Sequence, residues 1–517
     1  MKLQNIAERV VTILGLLLLG PLTAGSFFTT VCFVMDGKET LYIKWDFFLL
    51  VVAACMLLLL LLHKTAQWVL REEREGCEKR IRFLLGGVLV YVLCFGVVWS
   101  TVSHCIPMAD QWILCGVAQG FQNGDFSQLT MDSYERYLYI HPHQLGLTAV
   151  FEGVFALFGN GNYYAFQLLN CLGATVCVYS GYRITRLLTD RKKAWVYELL
   201  LSAFCFPLLF YVTFVYGEIL SITCSLLGIW LFLEYQRQGR WGYFAGCAVS
   251  VSLACLIRNN SMIVLIAMLC VLLVLGLGRR RLQPLLLFLL LILVFLGGRL
   301  GLRQLYQYRS GVQLNAGAPM NLYVAMGMQE GEVAPGWYNN YILHVYWGEA
   351  DFDRELAKEI ANQSIRSSIK RFVQEPSYAL WFYAKKFVTQ WDDPTYQSLV
   401  MTYASDEKRS NAVSQVYKGP VHEALLWFMN TYQSLIFTGA CYWVLRGMKK
   451  KRNLEEYLPL IVVLGGFFFH MLWEAKGRYI LPYFVTMLPM AAVGLEELSG
   501  WAACKIRLMA ERRKKGT

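Results

Sequence analysis

Residues 103–147 read SHCIPMADQWILCGVAQGFQNGDFSQLTMDSYERYLYIHPHQLGL, a polar and aromatic stretch set between runs that are almost wholly apolar. It holds Asp110, Asp125, Asp132, Glu135, His141 and His143, more titratable groups than any apolar run beside it. Charged groups are costly inside a bilayer, so the stretch reads as a loop between membrane helices. Its side of the membrane decides which other residues can act with it.

Working outward, the chain of 517 residues is 56% hydrophobic and 16% charged, against about 25% charged in soluble domains. Its mean hydropathy is +0.41. Helices of roughly 18–25 apolar residues can cross a ~30 Å hydrocarbon core. Runs of that kind fall at 9–32, 45–63, 82–102, 163–188, 194–213, 217–234, 241–257, 260–277, 284–301, 425–446, 456–473 and 478–498. They predict an all-α polytopic membrane protein with about 12 transmembrane helices. A β-barrel would instead show ten-residue alternating segments.

The net charge is +12. The Lys and Arg residues come in short clusters between apolar runs, the positive-inside pattern of membrane proteins. No basic face of a soluble nucleic-acid module is visible, so no nucleic-acid partner is expected. Most of the 15 cysteines lie in apolar runs, and no CxxC pair signals a zinc or redox site. Cys105 and Cys115 are close enough in sequence to bridge if their loop faces an oxidising side. The N-terminus, MKLQNIAERV before an apolar run, reads as an uncleaved signal anchor, since no Ala-x-Ala site follows.

Charge bookkeeping sets the topology. With the N-terminus in the cytoplasm, the basic 64–82 connection is inside and the 103–147 loop is outside. The run 144–158 is short. If it is interfacial or re-entrant, then Arg183 to Lys193, Arg237/Arg240, Arg279 to Arg281, Arg446 to Arg452 and the tail Arg512 to Lys515 all fall inside. The chain then divides into two extra N-terminal helices (1–81), a membrane core (82–301) with its outer loop 103–162, an extracytoplasmic segment (302–423), and C-terminal helices with a basic cytoplasmic tail (424–517). The 302–423 segment carries 12 Lys/Arg and 13 Asp/Glu. Within it, 351–374 reads as a helix ended by Pro376, and 377–391 reads as an aromatic helix suited to the membrane interface.

On the outer face lie the residues that carry chemistry, each with a plainer alternative. Asp110 follows the end of a span and can serve as a general base, or it caps the helix beginning at Gln111. His141 and His143, with Gln144, precede the 144–158 helix. Two histidines at i,i+2 can hold a metal, yet no further ligand spacing accompanies them, and interface anchoring explains them equally. Glu218, after Tyr216-Gly217, is either an intramembrane functional acid or a turn residue. Arg258 breaks an apolar stretch with Asn259 and Asn260; its fork suits phosphate, while a snorkelling arginine is the alternative. Lys385 and Lys386 sit in the aromatic helix. Glu474, Lys476 and Arg478 lie in WEAKGRY between two spans, either as a site for an anionic lipid head group or as a charged turn.

The order of these features resembles a GT-C glycosyltransferase, of the class that includes protein O-mannosyltransferases and the lipid A aminoarabinose transferase. An acid follows an early span (Asp110). A Tyr-x-His-Pro stretch opens a helix ending in Leu-Phe-Gly (Tyr139 to Gly159). A second acid follows a later span (Glu218), the apolar run breaks at Leu256-Ile257-Arg258-Asn259, and an acid precedes Arg-Tyr-x-x-Pro (Glu474 to Pro482). The resemblance runs from about Ser103 to the end. It implies a polyprenyl-phosphate sugar donor and inverting transfer to an extracytoplasmic acceptor. Asp110 would be the base, Glu218 the second acid, and Arg258 and Arg478 the partners of the donor phosphate. His141, His143, Gln144, Lys385, Lys386 and Glu474 would line the substrate site, with membrane lipids around it. The sequence marks no definite cofactor; a divalent cation is compatible with the resemblance, but where many relatives carry an Asp-Glu or Asp-x-Asp pair Asp110 stands alone here, which leaves metal dependence open. A multi-pass enzyme of the cell membrane, with both termini cytoplasmic and its site outside, is the expectation. A lipid-linked glycan flippase or a glycan polymerase or ligase is the alternative, although transporters place their charges near mid-membrane.

Overall fold

The computed structural model describes residues 2–515 except 37–38, 72–73, 132, 406–408 and 450–451. Asp132, Lys450, Lys451 and the side chains of Arg512 to Lys515 therefore lie outside the described residues. Each of the twelve apolar runs forms a helix, one of them bent by 45° between Lys192–Ala203 and Phe206–Thr213. Seven helices are long and apolar enough to cross a membrane, or eight if the bent pair is one span.

The helices Tyr163–Leu188, Pro420–Gly447 and Leu481–Lys515 fall outside that set for a physical reason. They sit in the middle of the bundle, where protein rather than lipid surrounds them. Tyr163–Leu188 buries Gln167 and Asn170, and Pro420–Gly447 buries Asn430, Thr431, Gln433 and Ser434. Gln167, Asn170 and Gln433 donate to backbone carbonyls in neighbouring segments, and Asn430 donates to the Asp46 carboxylate at 2.9 Å. Asn170, for example, donates to the carbonyls of Val212 and Phe214 at 3.1 and 3.0 Å. Pro420–Gly447 and Leu481–Lys515 cross closely at glycines. A Cβ on Gly494 would lie 1.9 Å from the Gly439 carbonyl oxygen, so small residues set the crossing distance.

The first apolar run is shorter than expected. Helix Lys2–Gly25 ends early, and an antiparallel hairpin pairs Thr29–Phe33 with Leu41–Trp45. The β-branched Thr29-Thr30-Val31 favours a strand. Its apolar Val31 and Phe33 are buried against Trp337, Val400 and Ala475 rather than in lipid. The 144–158 run is the short helix Leu145–Phe158, anchored where Glu152 takes a bidentate pair from Arg309 at 2.6 and 3.0 Å and a hydrogen bond from Tyr306.

In the 302–423 segment, helices Arg354–Gln374 and Pro376–Trp391 follow one another, the first capped by Asp353. Pro376 does not simply end one helix; it takes the first position of the next, where its missing N–H costs nothing. The two ends of the bundle differ in charge. Arg191 and Arg446 converge on Glu497 at 3.4 and 3.6 Å. Glu497 lies along the final helix at ~28 Å from Arg478 by helical rise, close to the ~30 Å depth of a hydrocarbon core.

Candidate active site

Four turns meet at the end of the bundle opposite Glu497. Glu218 is the first residue of helix Glu218–Gln238, where the positive end of the helix dipole favours a carboxylate. Arg258 caps the C-terminus of Trp241–Ile257. Its Nη2 lies 3.0 Å from Glu218 Oε1, with the Glu218 side chain buried and that of Arg258 12% exposed. Arg478 lies in the turn Gly477–Tyr479, 6% exposed. Its backbone N–H donates to Gln397 Oε1 at 3.0 Å. Among the described residues no carboxylate pairs with its guanidinium, and its Nε has no hydrogen-bond partner.

Aromatic rings take the place of a counter-ion. The Arg478 guanidinium carbon lies 5.9, 5.6 and 5.3 Å from the ring centres of Phe214, Tyr216 and Tyr479. Arg258 shares two of those rings, at 4.9 Å from Tyr216 and 5.7 Å from Tyr479. Two guanidiniums thus share one directly paired carboxylate, that of Glu218. A narrow cavity runs from Glu218, Arg258, Asn260 and Arg478 inward past Ser221, Ser225, Val264 and Thr486. Guanidiniums so placed can give an anion charge-assisted hydrogen bonds.

Asp110 opens helix Asp110–Gln122 after Ala109, whose φ is +46°. It is half-buried, and none of the described residues hydrogen-bonds its carboxylate. The next residue secures it to the arginine site: Gln111 Oε1 accepts from the Val215 N–H at 2.9 Å. The negative charge of Asp110 acts on Tyr137, His141, Tyr216, Tyr323 and Glu474. Gln144 donates to the Tyr216 hydroxyl at 2.7 Å. His141 Nδ1 is 3.0 Å from the Tyr323 hydroxyl, and the His141 and His143 rings are 5.7 Å apart. Burial lowers the pKa of His141 to about 4 and that of His143 to about 3, so both are neutral at pH 7. The Glu474 carboxyl is buried and takes a hydrogen bond from Tyr479 at 3.4 Å; burial pushes its pKa up despite Lys476 and Arg478 nearby.

The two lysines of the aromatic helix are placed differently from the rest. Lys386 donates to the carbonyls of Gly327, Met471 and Trp473 at 2.5, 3.1 and 2.7 Å. All three ammonium protons are used, so it fastens the Trp473-to-Arg478 turn to the outer segment and leaves nothing for a substrate. Lys385 lies 5.2 Å from the Trp381 ring, away from the arginines. Of the aromatics, Trp337 is fully buried and donates to Thr389 at 3.1 Å, packing the outer segment. Tyr323 stacks on Trp473 at 4.9 Å beside His141 and His143.

No group of three or more His, Cys, Asp or Glu residues among those described comes together to hold a metal. No step of the chemistry is assigned to a metal. Cys105 and Cys115 are both free thiols; Cys105 Sγ instead lies 3.1 Å from the Thr402 carbonyl. Sequence reasoning missed Tyr216, Tyr323 and Gln397. Aromatic residues are common throughout the chain, and nothing local marks those that flank an arginine. Gln397 sits at φ +62° after Tyr396 at +47°, in a turn that Asp393 holds by accepting from the Thr395 and Gln397 N–H groups.

The fold and the site together define an all-α membrane protein with two arginines and several carboxylates gathered at one end of its bundle. Residues 141–297, which carry His141, His143, Gln144, Glu218 and Arg258, match the family described as dolichyl-phosphate-mannose-protein mannosyltransferase. The oligosaccharyltransferase of Archaeoglobus fulgidus in its apo form is 14% identical, with a TM-score of 0.41, covering 82% of this chain and 52% of that one. The archaeal oligosaccharyltransferase AglB from Archaeoglobus fulgidus, in complex with an inhibitory peptide and a dolichol-phosphate, is 15% identical over the same shares with a TM-score of 0.41. The chain spans about half the length of those proteins. No curated protein matches it.

Proposed function

We propose that this protein is a membrane glycosyltransferase that moves a sugar from a polyprenyl-phosphate donor to a hydroxyl of an extracytoplasmic acceptor. One observation carries the reading. Arg258 and the buried Arg478 both face the Tyr216 and Tyr479 rings, Arg258 paired with the Glu218 carboxylate, and the half-buried Asp110 acts on the same Tyr216. The family match over 141–297 supports the sugar-transfer class. The basic residues at the far end of the bundle support a cytoplasmic placing of that end, and so an outward-facing site.

In this mechanism the donor phosphate takes the place of the missing counter-ion of Arg478 and shares Arg258 with Glu218. Charge-assisted bonds from both guanidiniums stabilise the negative charge that grows on the leaving phosphate. Asp110 accepts the acceptor's hydroxyl proton while the acceptor oxygen attacks the anomeric carbon. The bond from that carbon to the phosphate oxygen breaks, and its electron pair leaves with the lipid phosphate. Attack opposite the leaving group inverts the anomeric centre. The neutral His141, His143 and Gln144, with Tyr323 and the Glu474 carboxyl, offer hydrogen bonds to sugar hydroxyls. Lys385 and Lys386 have no part in binding.

The test uses purified protein with radiolabelled polyprenyl-phosphate sugars and follows lipid-phosphate release and acceptor labelling. Asp110→Asn is expected to lower transfer by about 10²–10⁴, the worth of a positioned base, with folding and lipid binding retained. Near-normal transfer removes Asp110 from the mechanism. Movement of the lipid across the bilayer without release of lipid phosphate replaces the enzyme reading with a transporter.

A further inference from the structure

Helix Leu282–Ser310 carries three arginines toward its C-terminal end, and they are not equally satisfied. Arg303 donates to the Leu314 carbonyl at 2.7 Å, and Arg309 pairs with Glu152 at 2.6 and 3.0 Å. Arg299 is exposed, and no described residue hydrogen-bonds or pairs with its guanidinium. The helix buries only Leu287, Leu291 and Tyr306, so most of its surface faces lipid. Counted from Leu282, Arg299 lies ~26 Å along the helix by its rise, near the far edge of a ~30 Å hydrocarbon core. That is the level of a lipid head group.

The same position adjoins the candidate site. A Cβ on Gly298 would lie 3.5 Å from Leu256 Cδ1, and Gly146 has no room for a Cβ against the Leu256 carbonyl. Leu256 is two residues before Arg258, and Gly146 is three residues after His143. Three backbones thus meet at Leu256, and with them come Arg299, His143 and Arg258. The charges agree with the packing. Burial is the main cause of the low pKa of His143, and His141, Arg258 and Arg299 add to it. Both arginines are therefore within electrostatic reach of one histidine. That histidine is neutral, and it sets no charge against a passing phosphate.

We propose that Arg299 is an entry residue for the anionic lipid donor. It draws the head-group phosphate from the membrane surface on the side of helix Leu282–Ser310 and delivers it past His143 to Arg258. This rests on the reading of Arg258 and Arg478 as the phosphate site, and it fixes the side of the bundle from which the lipid arrives. Arg299 does not touch the reacting atoms. It acts on the rate of arrival, because a fixed cation raises the local concentration of an anion. The plainer role of an arginine at this depth is to snorkel and hold whatever phospholipid lies beside it. The two roles differ in kinetics.

The experiment places the full-length protein in phosphatidylcholine vesicles, with and without phosphatidylglycerol. It adds farnesyl phosphoryl-mannose carrying a dansyl group on its hydrocarbon end, and energy transfer from tryptophan reads association and dissociation. Arg299→Gln is expected to slow association about tenfold in phosphatidylcholine alone. Its dissociation constant should stay within twofold, because Arg258 and Arg478 are untouched. Arg299→Lys is expected to keep most of the association rate. Added salt should slow association with the unaltered protein and barely affect Arg299→Gln. If Arg299→Gln binds the lipid at the unaltered rate, the inference falls and the phosphate site stands. A slower rate seen only with phosphatidylglycerol marks a contact to bulk anionic lipid and also overturns it. A dissociation constant that rises tenfold makes Arg299 part of the bound site and overturns the entry role. If the unaltered protein binds no donor lipid, the inference and the phosphate site fall together.

Discussion

The two arginines of the site should differ in their effect on stability when each is replaced by methionine, although both face the Tyr216 and Tyr479 rings. Arg258→Met leaves Glu218, 2% exposed, as a buried carboxylate without its cation. Breaking a buried pair in that way costs about 3–5 kcal/mol. Arg478→Met removes a guanidinium that no described carboxylate pairs with. What is lost there is ring contact at 5.3–5.9 Å, about 0.5–2 kcal/mol in a desolvated setting, together with the longer-range attraction of Glu218 and Glu39. The Arg478 variant should therefore be less destabilised than the Arg258 variant, which breaks a direct ion pair. Each should weaken binding of a polyprenyl-phosphate lipid by about 1.5–3 kcal/mol, the worth of charge-assisted hydrogen bonds, which is roughly 10- to 150-fold. Thermal unfolding of both variants in detergent, with and without farnesyl phosphoryl-mannose, reads stability and binding in one assay. Equal destabilisation by the two substitutions, or lipid affinity unchanged in Arg478→Met, refutes the account in which Arg258 is directly paired and Arg478 is open to the phosphate.

Three further outcomes follow from the same geometry. Lys386→Met should strip three carbonyls of their donor and raise amide exchange of residues 471–475, while variants of Lys385 leave it unchanged. Gly327→Ala should destabilise the outer segment by about 1–3 kcal/mol or more, because its Cβ would fall 2.3 Å from the Leu472 carbonyl oxygen; a thermal midpoint equal to that of the unaltered protein contradicts the close approach of those two turns. Stability should fall as pH drops from 6.5 toward 4. The folded pKa values of His141 and His143 lie near 4 and 3, below the unfolded value near 6.5. In that window the unfolded chain binds protons that the folded chain refuses, at up to about 1.4 kcal/mol per pH unit for each histidine. His141→Asn should flatten the slope, and a slope unchanged by it would show that His141 is already charged in the fold.

Much of the architecture was legible because a membrane helix must satisfy its own backbone, so length and apolarity mark it locally. The helix positions, the short Leu145–Phe158 helix and the tandem helices of the outer segment all follow from that rule and from caps and prolines. The rule fails where protein replaces lipid as the surroundings. The strand Thr29–Phe33 was taken into the first span because it is apolar, yet what covers it is Trp337 and Val400, far along the chain.

The site divides along the same line. Acids and bases at the ends of apolar runs are visible in the sequence, and Asp110, Glu218, Arg258, Glu474 and Arg478 stand out for that reason alone. The sequence cannot say whether a basic side chain is satisfied. Lys386 and Arg478 are both cations in outer turns, but only packing shows that three carbonyls take up one and that the other has rings and no carboxylate. Lys476 differs from Arg478 solely through Glu39, which lies 437 residues away in the chain. The sequence by itself determined which segments enter the membrane and which charges lie at their ends, because burial in lipid is a property of each segment. Tertiary structure alone decided which of those charges is left without a partner, because pairing depends on atoms that only the fold brings within about 4 Å.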